Sequence, residues 1–259
     1  AVRIAMTVGR AGKDHGRLLR VVRETTGGDE VSVELESESG LINADMTIGA
    51  DLTTCAALQS NMGICSPGVQ LYGRGFIVEA EEARKLIEQV DAEVANRIIR
   101  PYVNGRDLMQ TSRGAYVIDF YGLERNDAAL LHPAAYQRVL DYVKPERDHN
   151  RRQAIREKWW RFGWERPALR AAIDGLRRFI ATVETAKHRV FQFLDISVAP
   201  DNMLIAAAVQ DAATLATLSS AVHVTWALAA GGRLGVGNDP RYNKTRCFDP
   251  FPFPILTDT

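Results

Sequence analysis

Residues 231–254 read GGRLGVGNDPRYNKTRCFDPFPFP, directly after an Ala-rich, nearly uncharged run over residues 206–230. The contrast decides how the C-terminal half is built. The run has the length and composition of a long buried helix. The stretch after it crowds glycines together with Arg233, Arg241, Lys244, Arg246, Asn238, Asp239 and Asn243 into a turn-rich loop. Glycine lets backbone approach a partner closely, and cations favour an anionic one. The closing FDPFPFP alternates residues of fixed φ with large apolar rings, which can anchor the loop.

Upstream of this run, RFIATVE, HRVFQFLDI and MLIAAAV are expected strands. Between the first two, TAKHRVFQFLD brings Lys187, Arg189 and Gln192 to a strand and its adjoining turn. Further back, residues 144–170 hold nine cations interleaved with Trp159, Trp160, Phe162 and Trp164. Arginine binds phosphate or guanine bidentately and an exposed aromatic can stack on a base or wedge into a duplex. Large aromatics are buried on average, so the tryptophans are expected in the core. HPAAYQRVLDYV (132–143) predicts a helix with Pro133 in its first turn, and IIRPYVNGRDL and AYVIDFY each contain a strand.

The first hundred residues read as β-rich. Val2–Val8, Leu18–Glu24 and Val31–Glu36 are alternating or β-branched runs separated by Gly and Asp, and Val69–Val78 is a bent strand or strand pair with Gly73 and Gly75 at its kink. Glu79–Val90 predicts a helix with acids in the first turn. The expected class is α+β, with a β-rich part over residues 1–95 and a mixed part over 96–259, the two forming either separate domains or one continuous domain.

Net charge is zero, yet residues 1–143 carry 15 cations and 20 acids while 144–259 carry 17 and 12. Opposite signs in the two halves imply that one face meets an anionic partner such as nucleic acid. Three scattered cysteines suit neither a disulfide framework nor a zinc site, and Cys55 and Cys65 are expected as core thiols. No run reaches the roughly 18 apolar residues of a membrane helix. A cytoplasmic protein without membrane contact is the expectation, and a start at AVRIAMTV, inside a strand pattern and without Met, suggests a piece of a longer polypeptide.

Catalytic motifs are incomplete. In GVG (235–237) the third glycine of a dinucleotide loop is replaced by Pro240, FDPFPF interrupts the paired prolines of amino-methylating enzymes with Phe251, and Pro200–Asp201 lacks the acid and lysine of a nuclease. The five histidines show no ligand spacing, and no serine sits in a nucleophile elbow. His223, within the apolar run, reads as a core histidine.

INADMTIGADLT, CSPGVQLYGRGFIV, IIRPYVNGRDLMQ, KPERDHNRR, TAKHRVFQFLD and the 231–254 stretch, in that order, resemble the C-terminal target recognition region of the MmeI-like single-chain DNA adenine methyltransferases, whose members often carry restriction activity. The resemblance spans nearly the whole chain. It implies sequence-specific recognition of double-stranded DNA, with S-adenosylmethionine, the catalytic motif and any nuclease belonging to an upstream methyltransferase domain. The full enzyme would methylate adenine N6 after flipping the base. No cofactor or metal and no catalysis are expected in this chain itself. The residues expected at DNA, chosen by chemistry and position, are Arg106, Lys144, Arg147, Arg151, Arg152, Lys187, Arg189, Gln192, Arg233, Asn238, Arg241, Asn243, Lys244 and Arg246. Two rivals stay open: a scaffold docked on the methyltransferase domain that touches DNA weakly, and an autonomous enzyme.

Overall fold

The computed structural model describes residues 6–12, 14–27, 30–43, 46–234 and 239–254. Contacts divide the chain into two units, residues 1–56 and 57–259. The first is a hairpin of β1 (Gly16–Gly27) and antiparallel β2 (Glu30–Gly40). Alternation in β2 sends Val31, Val33 and Leu35 to one face and Glu34, Glu36 and Glu38 to the other, where Arg20 lies opposite Glu36 and Arg23 opposite Glu34. Val33 and Leu35 stay about half exposed, at 46% and 51%. Of the strand expected at Val2–Val8, residues 1–5 lie outside the described residues and 6–8 form no strand. Cys55, expected in a core, is exposed.

The second unit begins with β3 (Cys65–Pro67), a tight turn at Arg74–Phe76 and β4 (Ile77–Val78). A bent strand over Val69–Val78 is thereby corrected to bridges and a short strand, because Tyr72 takes a positive φ of 53° that no strand continues through. Helices α1 (Ala80–Ile87) and α2 (Ala92–Ile98) follow. Residue 95 therefore falls inside this unit. Next come β5 (Ile99–Val103), α3 (Gly105–Met109) and β6 (Tyr116–Ile118). Then the chain is helical: α4 (Arg125–Leu131), α5 (Pro133–Tyr142), α6 (Lys144–Asp148), α7 (Gln153–Glu157) and α8 (Pro167–Ile173).

The rest comprises β7 (Arg178–Val183), β8 (Phe191–Asp195), β9 (Ala199–Pro200), β10 (Leu204–Ala207), α9 (Ala212–Ser219), α10 (Ala221–Ala230), β11 (Arg233–Leu234) and β12 (Asp239–Pro240), ending in a wide turn at Lys244–Phe248. The α+β class holds, but the single long helix over 206–230 resolves into a strand and two helices. Asp211 accepts from Thr214 N and Ser220 from His223 N, so each starts a new helix, and the two axes bend by 58°. Their outer faces, including Val222 and Leu228, are exposed rather than buried.

Two four-stranded sheets organise this unit, in orders β4-β6-β5-β9 and β3-β10-β7-β8. The first, with β5 and β9 parallel, is covered by helices and by Phe76, Phe120, Trp159, Trp160 and Phe162. The second is antiparallel and buried on both faces. Phe179, Ala181 and Ala206 meet α8, whereas Ile180, Ile205 and Ala207 meet the C-terminal aromatics. A strand covered on both faces needs no polar alternation, which is why MLIAAAV reads as a plain apolar run.

FDPFPFP does anchor the end of the chain. Phe248 and Phe251 are buried, and Asn61 Nδ2 donates to the carbonyls of Phe248, Asp249 and Phe251 at 3.3, 3.0 and 2.8 Å. His223 sits fully buried among Phe191, Tyr242, Phe251 and Phe253, with Nε2 2.9 Å from Tyr242 Oη. Burial, then the nearby Arg189 charge, pushes its pKa down to about 4. In the unfolded chain the ring takes up its proton near the ordinary 6.5, so the unfolded state binds more protons between the two values. Stability is therefore full above about pH 6.5 and falls as pH drops towards 4, by roughly 3 kcal/mol from this group. Urea titrations at pH 7 and pH 4.5 should show His223→Gln losing less stability on acidification than wild type.

Arg147, expected at the phosphate backbone, is instead 1% exposed inside this unit. Its guanidinium donates to the carbonyls of Leu71, Tyr72 (3.1 Å), Lys158 (3.2 Å), Trp159 (3.2 Å) and Arg161 (2.5 Å). It also lies 5.0 Å from the Phe76 ring, and burial lowers its pKa to about 10. Arg147→Ala leaves the Tyr72, Trp159 and Arg161 carbonyls without this donor, while Leu71 O and Lys158 O keep Gly163 N and Arg161 N, and should destabilise the chain by about 3 kcal/mol in urea unfolding. Arg147→Lys, lacking the planar fork, should recover only part of that loss.

Candidate nucleic-acid interface

Two of the cation-bearing loops are joined by backbone. Residues 184–190 connect β7 to β8, and residues 231–248 follow α10; Thr185 and Arg241 pair as an isolated bridge between them. Tyr242 N donates to Glu184 O at 2.6 Å and Ala186 N to Pro240 O at 3.2 Å. Gly231 makes this possible, since a Cβ there would lie 2.0 Å from the Arg241 carbonyl oxygen. Its close approach thus serves the chain's own backbone. Arg189 staples the same junction, donating to Val183 O, Thr182 Oγ1 (3.2 Å) and Pro240 O (3.1 Å), with its guanidinium 5.2 Å from the Tyr242 ring. Burial lowers its pKa.

Side chains on this pair of loops divide into inward and outward sets. Arg189 is internal, Gln192 Nε2 donates to Leu108 O at 2.8 Å, and Asn243 Oδ1 accepts from Thr245 N at 3.0 Å. These three, each expected at DNA, also serve as links within the fold. Arg241 pairs with Glu184 at 2.6 Å and Lys244 lies 3.5 Å from the buried Asp249. Lys187 and Arg246 are exposed, without an ion-pair partner among the described residues, and Arg233 is exposed on β11. Asn238 lies outside the described residues.

Helix α3 packs against the same sheet: Gly105 sits over Val183, where a Cβ would come within 3.0 Å of its methyl carbon. Asn104 caps the helix and Asp107 completes the capping box, while Arg113 grips Asp107 through Nε and Nη2 at 2.9 and 2.7 Å. That grip, ahead of backbone donors, lowers the Asp107 pKa to about 2. Arg106 is left exposed, with only Gln110 Oε1 at 3.3 Å. The NGRD turn thus joins the loop pair in space.

The remaining candidates lie elsewhere. Lys144 pairs with Asp148 at 2.6 Å, Arg151 is exposed, and Arg152 Nη1 donates to Tyr72 Oη at 3.2 Å. Tyr72 in turn lines a cleft of about 420 Å³ with Gln70, Arg74, Tyr102, His149, Asn150, Asp201 and Asn202. Tyr102 Oη donates to Asp201 Oδ2 there, and burial followed by that carboxylate raises the phenol pKa. Sequence reading missed Arg74, Tyr102 and Asn202 because each stands outside the basic runs. Trp164, expected in the core with Trp159 and Trp160, is instead 49% exposed.

No curated protein matches this chain. A solved structure of MmeI, described as a type IIL restriction-modification enzyme in complex with DNA, superimposes with a TM-score of 0.67 at 15% identity. The match takes in 94% of this chain and 36% of the MmeI chain, so this chain spans about a third of that protein's length, and the likeness speaks for a shared fold. The family model for the MmeI target recognition domain matches residues 55–255. By that match over most of its length, the chain belongs to the MmeI target recognition domain family.

Proposed function

We propose that this chain reads a specific sequence in double-stranded DNA, as the recognition part of a larger restriction-modification enzyme. The observation that carries it is the joining of the loops that bear Lys187 and Arg241, with Arg106 beside them, at one end of a sheet by the Thr185–Arg241 bridge and the seat of α3 on Val183. Membership in the target recognition family supports the same reading. Exposed cations would contact phosphates and fix register, and polar side chains beside them would meet base edges in the major groove. Adenine-N6 methylation and any cleavage would be the work of other parts of the enzyme. S-adenosylmethionine would bind in that methyltransferase domain, and the assembly would act in the cytoplasm.

A specific feature favours docking as a second role, for the first unit only. The β1–β2 hairpin lies outside the family match and exposes Val31, Val33 and Leu35 on one face. An apolar sheet face of this kind suits contact with the methyltransferase domain rather than with a polyanion.

Fluorescence anisotropy with a labelled 30-base-pair duplex at two salt concentrations tests the DNA reading. Binding should weaken steeply with salt, because each neutralised phosphate releases counterion. Lys187→Glu should weaken it roughly tenfold and lower the salt slope by about one. A chain that ignores duplex at low salt, or a Lys187→Glu variant that binds as wild type does, would count against the reading.

A further inference from the structure

The four tryptophans have different fates. Trp159 and Trp160 are buried, and the half-buried Trp226 donates Nε1 to Cys247 O at 3.0 Å; Trp164 keeps 49% of its surface exposed. Its backbone is nevertheless fixed. Trp164 N donates to Gln70 O at 3.1 Å and Gln70 N to Trp164 O at 3.0 Å. The residue before it, Gly163, has room for no side chain, since a Cβ would lie 2.2 Å from the Tyr72 ring.

Strain surrounds the same point. Tyr72 (φ 53°) and Arg166 (φ 55°) are both left-handed without being glycine, a conformation that costs on the order of 1–3 kcal/mol per residue. Each is held by a specific grip: Arg147 takes the Leu71 and Tyr72 carbonyls, and Arg166 Nε donates to Gly68 O at 2.9 Å with its guanidinium 5.9 Å from the Trp164 ring. A rigid, strained frame therefore presents one large aromatic to solvent.

Charge at the site selects the partner. Trp164 borders a cleft of about 400 Å³ together with Lys158, Arg166, Ile155, Leu169 and the Arg161–Glu165 ion pair (2.5 Å), which leaves Lys158 and Arg166 as its cations without a carboxylate partner among the described residues. Residues 151–166 contain six cations and two acids. An apolar protein surface gains little from cations, whereas a nucleotide offers a flat apolar face beside a phosphate.

We propose that Trp164 is a second DNA contact, separate from the loops around Lys187 and Arg241: its ring lies against a base or deoxyribose of the bound duplex, with Lys158 and Arg166 facing the adjoining phosphates. The proposal rests on the DNA reading above. It assigns the exposed ring a wedge or stacking role, which the rigid frame serves by keeping the ring from folding back onto the protein.

The test titrates the 30-base-pair duplex against the whole chain, following anisotropy and intrinsic tryptophan emission together, in wild type, Trp164→Phe and Trp164→Ala. Duplex should quench the wild-type emission, Trp164→Phe should lose most of that quench, and Trp164→Ala should bind about tenfold more weakly. Because Trp164 is tied through its main chain, near-wild-type urea midpoints for both variants are expected and separate contact from folding. Undiminished quench in Trp164→Phe with unchanged affinity in Trp164→Ala would overturn the Trp164 contact and leave the DNA reading standing. Failure of wild type to bind duplex at low salt would overturn both.

Discussion

A single buried guanidinium holds together the irregular part of the larger unit. Arg147 ties together two segments, 71–72 and 158–161, and supplies the donor for the Tyr72, Trp159 and Arg161 carbonyls, while Leu71 O and Lys158 O also accept from Gly163 N and Arg161 N. Only arginine presents five donors in one plane, and its partners here are all main-chain oxygens. Burying the charge is unfavourable, and the lowered pKa is its measure; five carbonyl dipoles and the Phe76 face offset it. The consequence reaches past the core. With 71–72 and 158–161 fixed, the Gln70–Trp164 pair is fixed too, and with it the left-handed turn at Tyr72.

Arg189 repeats the device at the other loops. It holds Val183 and Pro240 by their carbonyls, which ties the β7–β8 connection to the segment that carries Pro240 and Arg241. The chain's arginines thus divide by partner. Those that meet carbonyls in the interior are architecture, those that meet carboxylates, such as Arg113 and Arg170, lock turns and strands, and the cations left outside, among them Lys187, Arg246 and Lys158, carry the charge available to a polyanion.

Much of the regular structure was legible from pattern. The runs behind β1, β2, β5, β6, β7, β8 and β10 and the helices α1 and α5 follow from alternation, from apolar strands between turn residues, and from Pro133 opening a helix. The break within residues 206–230 was present as Asp211 and Ser220, two cap residues inside an apolar run, but composition alone hid it. Site residues were harder. Whether an arginine points outward depends on which carbonyls the fold leaves unsatisfied, and that is a property of three-dimensional neighbours: nothing in KPERDHNRR separates Arg147 from Arg151. Trp164 was obscured likewise, since WWRFGW puts it five residues from the buried Trp159 and composition does not separate the two.

Internal hydrogen bonds decide which side chains could read a base under the DNA reading proposed above. A reader must first release whatever it holds, and the internal bonds here differ in strength. Gln192 bonds a buried-side carbonyl and Asn243 caps a turn; breaking either loses about 1 kcal/mol and loosens the element it fixes. Arg241 is bound to Glu184 as a partly exposed pair, and such pairs are worth roughly 0–1 kcal/mol. Its release disturbs little, because the Tyr242–Glu184 backbone bond keeps the loop in place without it. Under the DNA reading proposed above, Arg241 would exchange a carboxylate for a guanine edge or a phosphate at little cost, whereas Arg189 stays committed to the fold.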